Sequence, residues 1–157
     1  MQSVAGIFTT VVEQPTISIA AYSSGDQLGG LQTLSQAALG DGLYCTLKDL
    51  VVVDLAKQKS ALEVLFFNKS PTLISGDNEP LNISDADVAE YFVGNVSVAA
   101  ADYKDLSASS VATVVADLSM NALGGQGTLY AVAMSAGTPT YTSSGSLYFK
   151  FTFSKQY

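Results

Sequence analysis

Alternation of apolar and polar residues with a period of two dominates the chain. Its clearest instance lies near the C-terminus, where Leu147, Phe149, Phe151 and Phe153 alternate with Tyr148, Lys150 and Thr152. That is the pattern of a strand with one face in a core and the other toward solvent or a partner. The longest apolar stretch covers residues 43–71. Two β-branched and aromatic runs within it, 50–55 and 61–67, flank the polar segment 56–60, and the pattern predicts a hairpin between two buried strands. In the first arm Leu43, Cys45, Leu47, Val51, Val53 and Leu55 share one parity and are expected on one face; Lys48-Asp49 interrupts them and marks a bulge or a crossing between sheets. In the second arm Leu62, Val64 and Phe66 share a face opposite Glu63, Leu65 and Phe67. The Phe66-Phe67 end should therefore be covered on both sides.

Further strands are expected over residues 4–12, 16–22, 95–100, 110–118 and 128–135, with mixed polarity over 31–39. Turn chemistry separates them at Pro15, at 23–30, at Gly40-Asp41-Gly42, over 102–106, at 124–127, and over 137–145. One helix is predicted, two to three turns long. Ser84 can cap it, Asp85 and Asp87 complement its dipole, Val88, Tyr91 and Phe92 form an apolar stripe, and Gly94 ends it. Eight or nine short strands at roughly ten-residue spacing predict an all-β fold, an antiparallel β-sandwich or jelly roll with one short helix, as a single domain over residues 1–157.

Composition narrows the function. Of 157 residues, 48% are hydrophobic and 13% charged, giving a surface rich in Ser, Thr, Ala and Gly that suits lasting contact with another protein. No apolar run reaches the roughly 18–20 residues of a membrane helix, and residues 1–10 lack the basic and apolar regions of a signal peptide. The acceptor tripeptides at Asn68, Asn82 and Asn95 are then without consequence. The net charge is −7, and every positive side chain is a lysine. Without a basic run or an arginine the chain lacks the footprint of nucleic-acid binding.

Candidate chemistry is sparse. The chain has no histidine, which removes the Ser-His-Asp arrangement and leaves the lone Cys45 without the usual base, so Cys45 is expected to be a buried core residue. Asp77, Glu79, Asp85 and Asp87, with Asn78 and Asn82, are the nearest thing to a Ca²⁺ site, but their spacing does not match the EF-hand pattern, and helix capping already accounts for Asp85 and Asp87. The same carboxylates as a glycosidase pair would lack tryptophan to hold a sugar. Residues 124–127 are Gly-rich but precede a strand, so they read as a turn and not as a phosphate cradle. No catalytic, cofactor-binding or metal-ligating residue is assigned.

One pattern spans most of the chain. Asp54 and Gln58 lead into a strand ending in Phe66-Phe67, then come Asn68 and Pro71, Asp77-Asn78, and Ser84-Asp85-Ala86-Asp87 opening a helix. Together with the stretches 16–30 and 136–151, this resembles a group of small structural proteins of tailed bacteriophages. The resemblance implies a non-enzymatic virion component, a capsid cement or decoration protein on the outer surface of the shell. It further implies production in the host cytoplasm, the major capsid protein as partner, and a small homo-oligomer, dimer or trimer, without nucleic acid, membrane or cofactor. Contacts are expected from residues 1–10, 70–81 and 137–145. The alternative is a carbohydrate- or receptor-binding β-sandwich module of a fibre or tail, which predicts an exposed aromatic platform drawn from Tyr22, Tyr130, Tyr141 or Tyr148.

Overall fold

The computed structural model describes residues 7–156. Its strands are β1 (Ile7–Glu13), β2 (Gln27–Leu34), β3 (Tyr44–Asp54), β4 (Leu62–Phe67), β5 (Phe92–Val98), β6 (Tyr103–Asp105), β7 (Ser110–Asn121), β8 (Leu129–Ser135) and β9 (Leu147–Lys155). A helix, α1 (Asp85–Tyr91), precedes β5, and a 3-10 turn (Ala100–Asp102) precedes β6. Five strands form one sheet in the order β1-β9-β3-β7-β6, and four form the other in the order β2-β8-β4-β5.

Apart from β6, the chain behaves as one long hairpin rolled around a barrel axis. At the centre β4 pairs β5, then β3 pairs β7, β2 pairs β8 and β1 pairs β9, all antiparallel, with successive pairs alternating between the sheets. This is a jelly roll, and it bears out the all-β expectation with its short helix.

The core lies between the sheets. Leu47, Leu50 and Val52 of β3, Phe149, Phe151 and Phe153 of β9, Leu62, Val64 and Phe66 of β4, and Leu129, Ala131 and Ala133 of β8 are all buried. Each large side chain among them contributes about 1.5–3 kcal/mol by leaving water. The Phe66 ring meets the Phe151 ring edge-on at 5.8 Å and so joins the sheets; Phe149, Phe151 and Phe153 stack along β9.

Several expectations require correction. Residues 50–55 and 61–67 do not form a hairpin: β3 pairs with β7 and β9, β4 with β5 and β8, and residues 55–61 cross from one sheet to the other. The parity of β3 also reverses. Lys48 is an extra residue opposite β9, so Cys45 and Leu47 point inward as expected, but beyond the bulge Leu50 and Val52 do so instead of Val51 and Val53. Asp117 occupies the facing bulge in β7 with φ 47° and pairs with Lys48 at 2.6 Å. Residues 16–22 form no strand, although Ile17 and Tyr22 are buried, and β2 begins at Gln27 inside the expected turn. The turn expected over 102–106 contains β6. Gly94 does not end the helix, which passes into β5 at Phe92; it lies within β5 with φ 153°, where a side chain would strike Leu118. The Ser84 side chain makes no capping bond, and its carbonyl accepts from Val88 N at 3.0 Å. Residues 4–6 of the first expected strand lie outside the described residues.

Candidate interaction surface

The two sheets treat their outer faces differently. Residues 70–84 run as a strap over the outer face of the four-stranded sheet, pinned to itself by Ile74 N donating to Asn82 O (2.8 Å) and Ser84 N to Thr72 O (3.1 Å). Its far end is tied to β2: Gln27 N donates to Glu79 O, Asn78 N to Gln27 O and Leu81 N to Gly25 O, all within 2.9 Å. Beneath the strap and α1 lies a second core of Phe67, Ile83 and Val132, flanked by Leu65, Leu73, Leu81, Tyr91 and Tyr130. Phe66 and Phe67 therefore fill opposite faces of one strand, as the doubled aromatic predicted.

Among the described residues nothing covers the outer face of the five-stranded sheet. Pairing across β1, β9, β3 and β7 sets Thr10, Thr152, Asp49 and Val115 in one row, with Val12, Lys150, Val51 and Thr113 in the next. Phe8 (63% exposed), Val12 (53%) and Val115 (76%) stand out from it. Hydroxyl pairs lie between them, Thr10 with Thr152 at 3.5 Å and Thr46 with Ser119 at 3.1 Å. The face is extended, rich in threonine and valine, and carries scattered charges at Asp49, Lys150 and the Lys48–Asp117 pair, which suits broad contact with another protein better than capture of a small molecule.

A shallow groove of about 190 Å³ opens where the strap leaves the other sheet uncovered, lined by Glu63, Leu65, Phe92, Asn95 and Met134. The Glu63 carboxylate accepts from Asn95 Nδ2 at 2.9 Å and Ser97 Oγ at 2.8 Å. The groove has room for one side chain rather than a cofactor.

The acidic group noted in the sequence is dispersed into separate structural tasks. Asp77 Oδ1 accepts from Tyr22 Oη at 2.6 Å and from Gly29 N at 2.7 Å; Glu79 accepts from Gly76 N and Asp87 from Thr72 N, each at 2.7 Å. Asp85 sits in the first turn of α1, exposed. Among the described residues no three His, Cys, Asp or Glu side chains converge to hold a metal ion.

The expected aromatic platform does not form. Tyr22 and Tyr141, each 2% exposed, meet edge-on at 6.0 Å inside the core, while Tyr130 and Tyr148 are half-buried on outer faces of different sheets. Burial pushes the hydroxyls of Tyr22, Tyr103 and Tyr141 well above the usual tyrosine range, helped at Tyr22 by the bond to Asp77. Cys45 is fully buried, and desolvation pushes its thiol up to about 12, against a small opposing effect of Lys155. It is a core residue, not a nucleophile.

The pattern running from Asp54 to Asp87 also resolves into folding roles. Asp54 and Gln58 hold the β3–β4 crossover, Asn68 N donates to Tyr91 O at 2.9 Å, Pro71 is buried, and Asp77 and Asn78 tie the strap to β2. Two of the three segments expected to make contacts are built into the molecule: 70–81 is the strap, and 137–145 is held by Tyr22 N donating to Pro139 O and Ile17 N to Ser144 O. The third, 1–10, is described only from Ile7, in β1. The open face itself was not foreseen, although alternation in residues 147–153 already implied an outer row on β9.

No protein-family model and no curated protein matches the chain. Among solved structures, one of Desmodium yellow mottle tymovirus is similar over 98% of this chain and 89% of that chain, at 12% identity and a TM-score of 0.27. A likeness that loose carries no argument; the jelly-roll description rests on strand order.

Proposed function

We propose that this chain is a non-enzymatic structural protein of a tailed-bacteriophage virion, a cement or decoration protein that binds the major capsid protein on the outer surface of the shell. The observation that carries this reading is the contrast between the outer faces. One is largely covered by the chain's own strap and α1, and the other is left uncovered among the described residues, with its apolar side chains spaced along four strands. Such a face is stable in water but gains from being covered.

Three further points support it. The residues that carry the resemblance to phage structural proteins maintain the roll, as a scaffold requires. The polar groups that a hydrolase would use, Asp77, Asp87 and Glu79, are occupied by backbone amides. A net charge of −7 suits a position outside the packaged DNA. On a shell with many equivalent positions, modest affinity per contact is multiplied when copies act together as a small oligomer. The test is copy number in purified virions: a cement protein is present at a level comparable with the major capsid protein, and a handful per particle contradicts the reading.

A further inference from the structure

The four sheet edges are unequally protected. β6 is three residues long and ends in the exposed pair Lys104-Asp105; β2 is interrupted by a bulge between Leu28 and Gln32, and its start is bonded to the strap; β5 is broken by the irregularity at Gly94. Short, charged, bulged or covered edges are the usual defences against strand addition. β1 has only one of them, the single charge of Glu13 at its end. Its seven residues, Ile-Phe-Thr-Thr-Val-Val-Glu, pair with β9 in unbroken register from Ile7–Lys155 to Glu13–Phe149, contain no proline or lysine, and meet no other strand among the described residues.

We propose that β1 is a dimerisation edge, and that a second copy of this chain adds its own β1 antiparallel to it about a two-fold axis at Thr10, joining two five-stranded sheets into one. The segment complements itself in this register. Thr10 faces Thr10, Phe8 faces Val12 on the outer surface in two symmetric aromatic–β-branched pairs, and the half-exposed apolar edge is covered. Charge selects the same arrangement. Glu13 is partly desolvated at the sheet margin, which pushes its carboxyl above the usual range, and none of the ion pairs among the described residues includes it. In the antiparallel register the partner copy's Glu13 arrives opposite Ile7, in the row that continues to Lys155 on β9. Parallel addition would instead bring the two Glu13 carboxylates side by side.

This assignment rests on the edge alone and is tested without capsids. Sedimentation of the purified chain should show a concentration-dependent dimer of twice the 16.3 kDa chain mass. Thr10→Cys should form an intermolecular disulfide under oxidised glutathione, whereas Val115→Cys, also exposed but three strands away, should not; buried Cys45 does not compete. The double change Phe8→Lys and Val12→Lys sets like charges opposite each other twice and should weaken the dimer about ten-fold or more. Phe8→Lys with Val12→Glu restores opposite pairs and should restore the dimer. A monomer at all concentrations, a three-fold assembly, no cross-link at residue 10, or a lysine double variant that dimerises as well as the wild type overturns the proposal.

Discussion

The carboxylate of Asp54 holds the backbone of Lys59: Oδ2 accepts from Lys59 N at 2.8 Å, while Oδ1 accepts from Ala56 N at 2.9 Å. Between them the chain turns through left-handed positions at Lys57 (φ 52°) and Lys59 (φ 48°), and Gln58 Oε1 accepts from Thr140 N at 3.0 Å. One buried carboxylate thus shapes the passage from sheet to sheet, and Gln58 fastens it to the β8–β9 connection. Asp54→Ala leaves two amides without their acceptors and should lower stability by about 2–4 kcal/mol, and Asp54→Asn by roughly half that. Urea unfolding checks this; a loss under about 0.5 kcal/mol for the alanine variant would show that the crossover is held by something else.

The turn before β8 contains two glycines in the left-handed region with different surroundings. A side chain on Gly125 (φ 78°) meets open space, while one on Gly127 (φ 74°) collides with the Ala38 carbonyl, whose amide N donates to Gly127 O at 3.0 Å. Gly125→Ala should cost only backbone strain, about 1 kcal/mol, and Gly127→Ala distinctly more. Thermal unfolding of the two variants gives the order directly, and equal losses would contradict the close approach of the two loops.

Phe66 and Phe67 are neighbours in sequence but belong to different cores. Replacing either by Ala should cost about 3–5 kcal/mol, with Phe66 toward the upper end because its ring bridges the sheets. Hydrogen exchange separates them: in Phe67→Ala the amides of Ile74, Ser75 and Ser84 in the strap should lose protection while those of β9 keep theirs. Equal exposure of both regions would mean that the strap has no core of its own.

Tyr22, Tyr103 and Tyr141 are held neutral by burial, so their pKa values in the folded state lie above the ordinary 10.0. In this range the unfolded chain binds fewer protons than the folded one. Their contribution to stability is therefore fully present below pH 10 and is lost as pH rises from there toward the folded values. Tyrosinate absorbance of these three should rise together with unfolding and not before it. Ionisation of all tyrosines in an intact fold would contradict their placement.

The fold was largely legible because strand alternation and the doubled phenylalanine directly reflect which side chains must leave water. Phe149, Phe151 and Phe153 could point only one way, and they do. Pairing was less legible. Residues 56–60 have the composition of a hairpin turn, but a crossover needs polar residues just as much, and only the inward carboxylate of Asp54 distinguishes the two. Parity in β3 failed beyond Lys48 because one extra residue reverses every later side chain. The strap was not legible because its carboxylates are visible in sequence while their amide partners are not. The open face could not be located from sequence, because a threonine–valine row reads the same whether or not another segment covers it.

The most direct test of the docking role is cosedimentation of the purified protein with capsid shells that lack it, beside the variants Val115→Lys and Thr113→Lys, which change exposed positions of the open face and leave β1 intact. Wild type should bind to saturation near one copy, or one small oligomer, per equivalent site on the shell. Both variants should keep wild-type unfolding within about 0.5 kcal/mol, as surface substitutions do, yet lose most of the bound protein. Wild type that stays in the supernatant, or variants that bind as well as it does, would contradict the account.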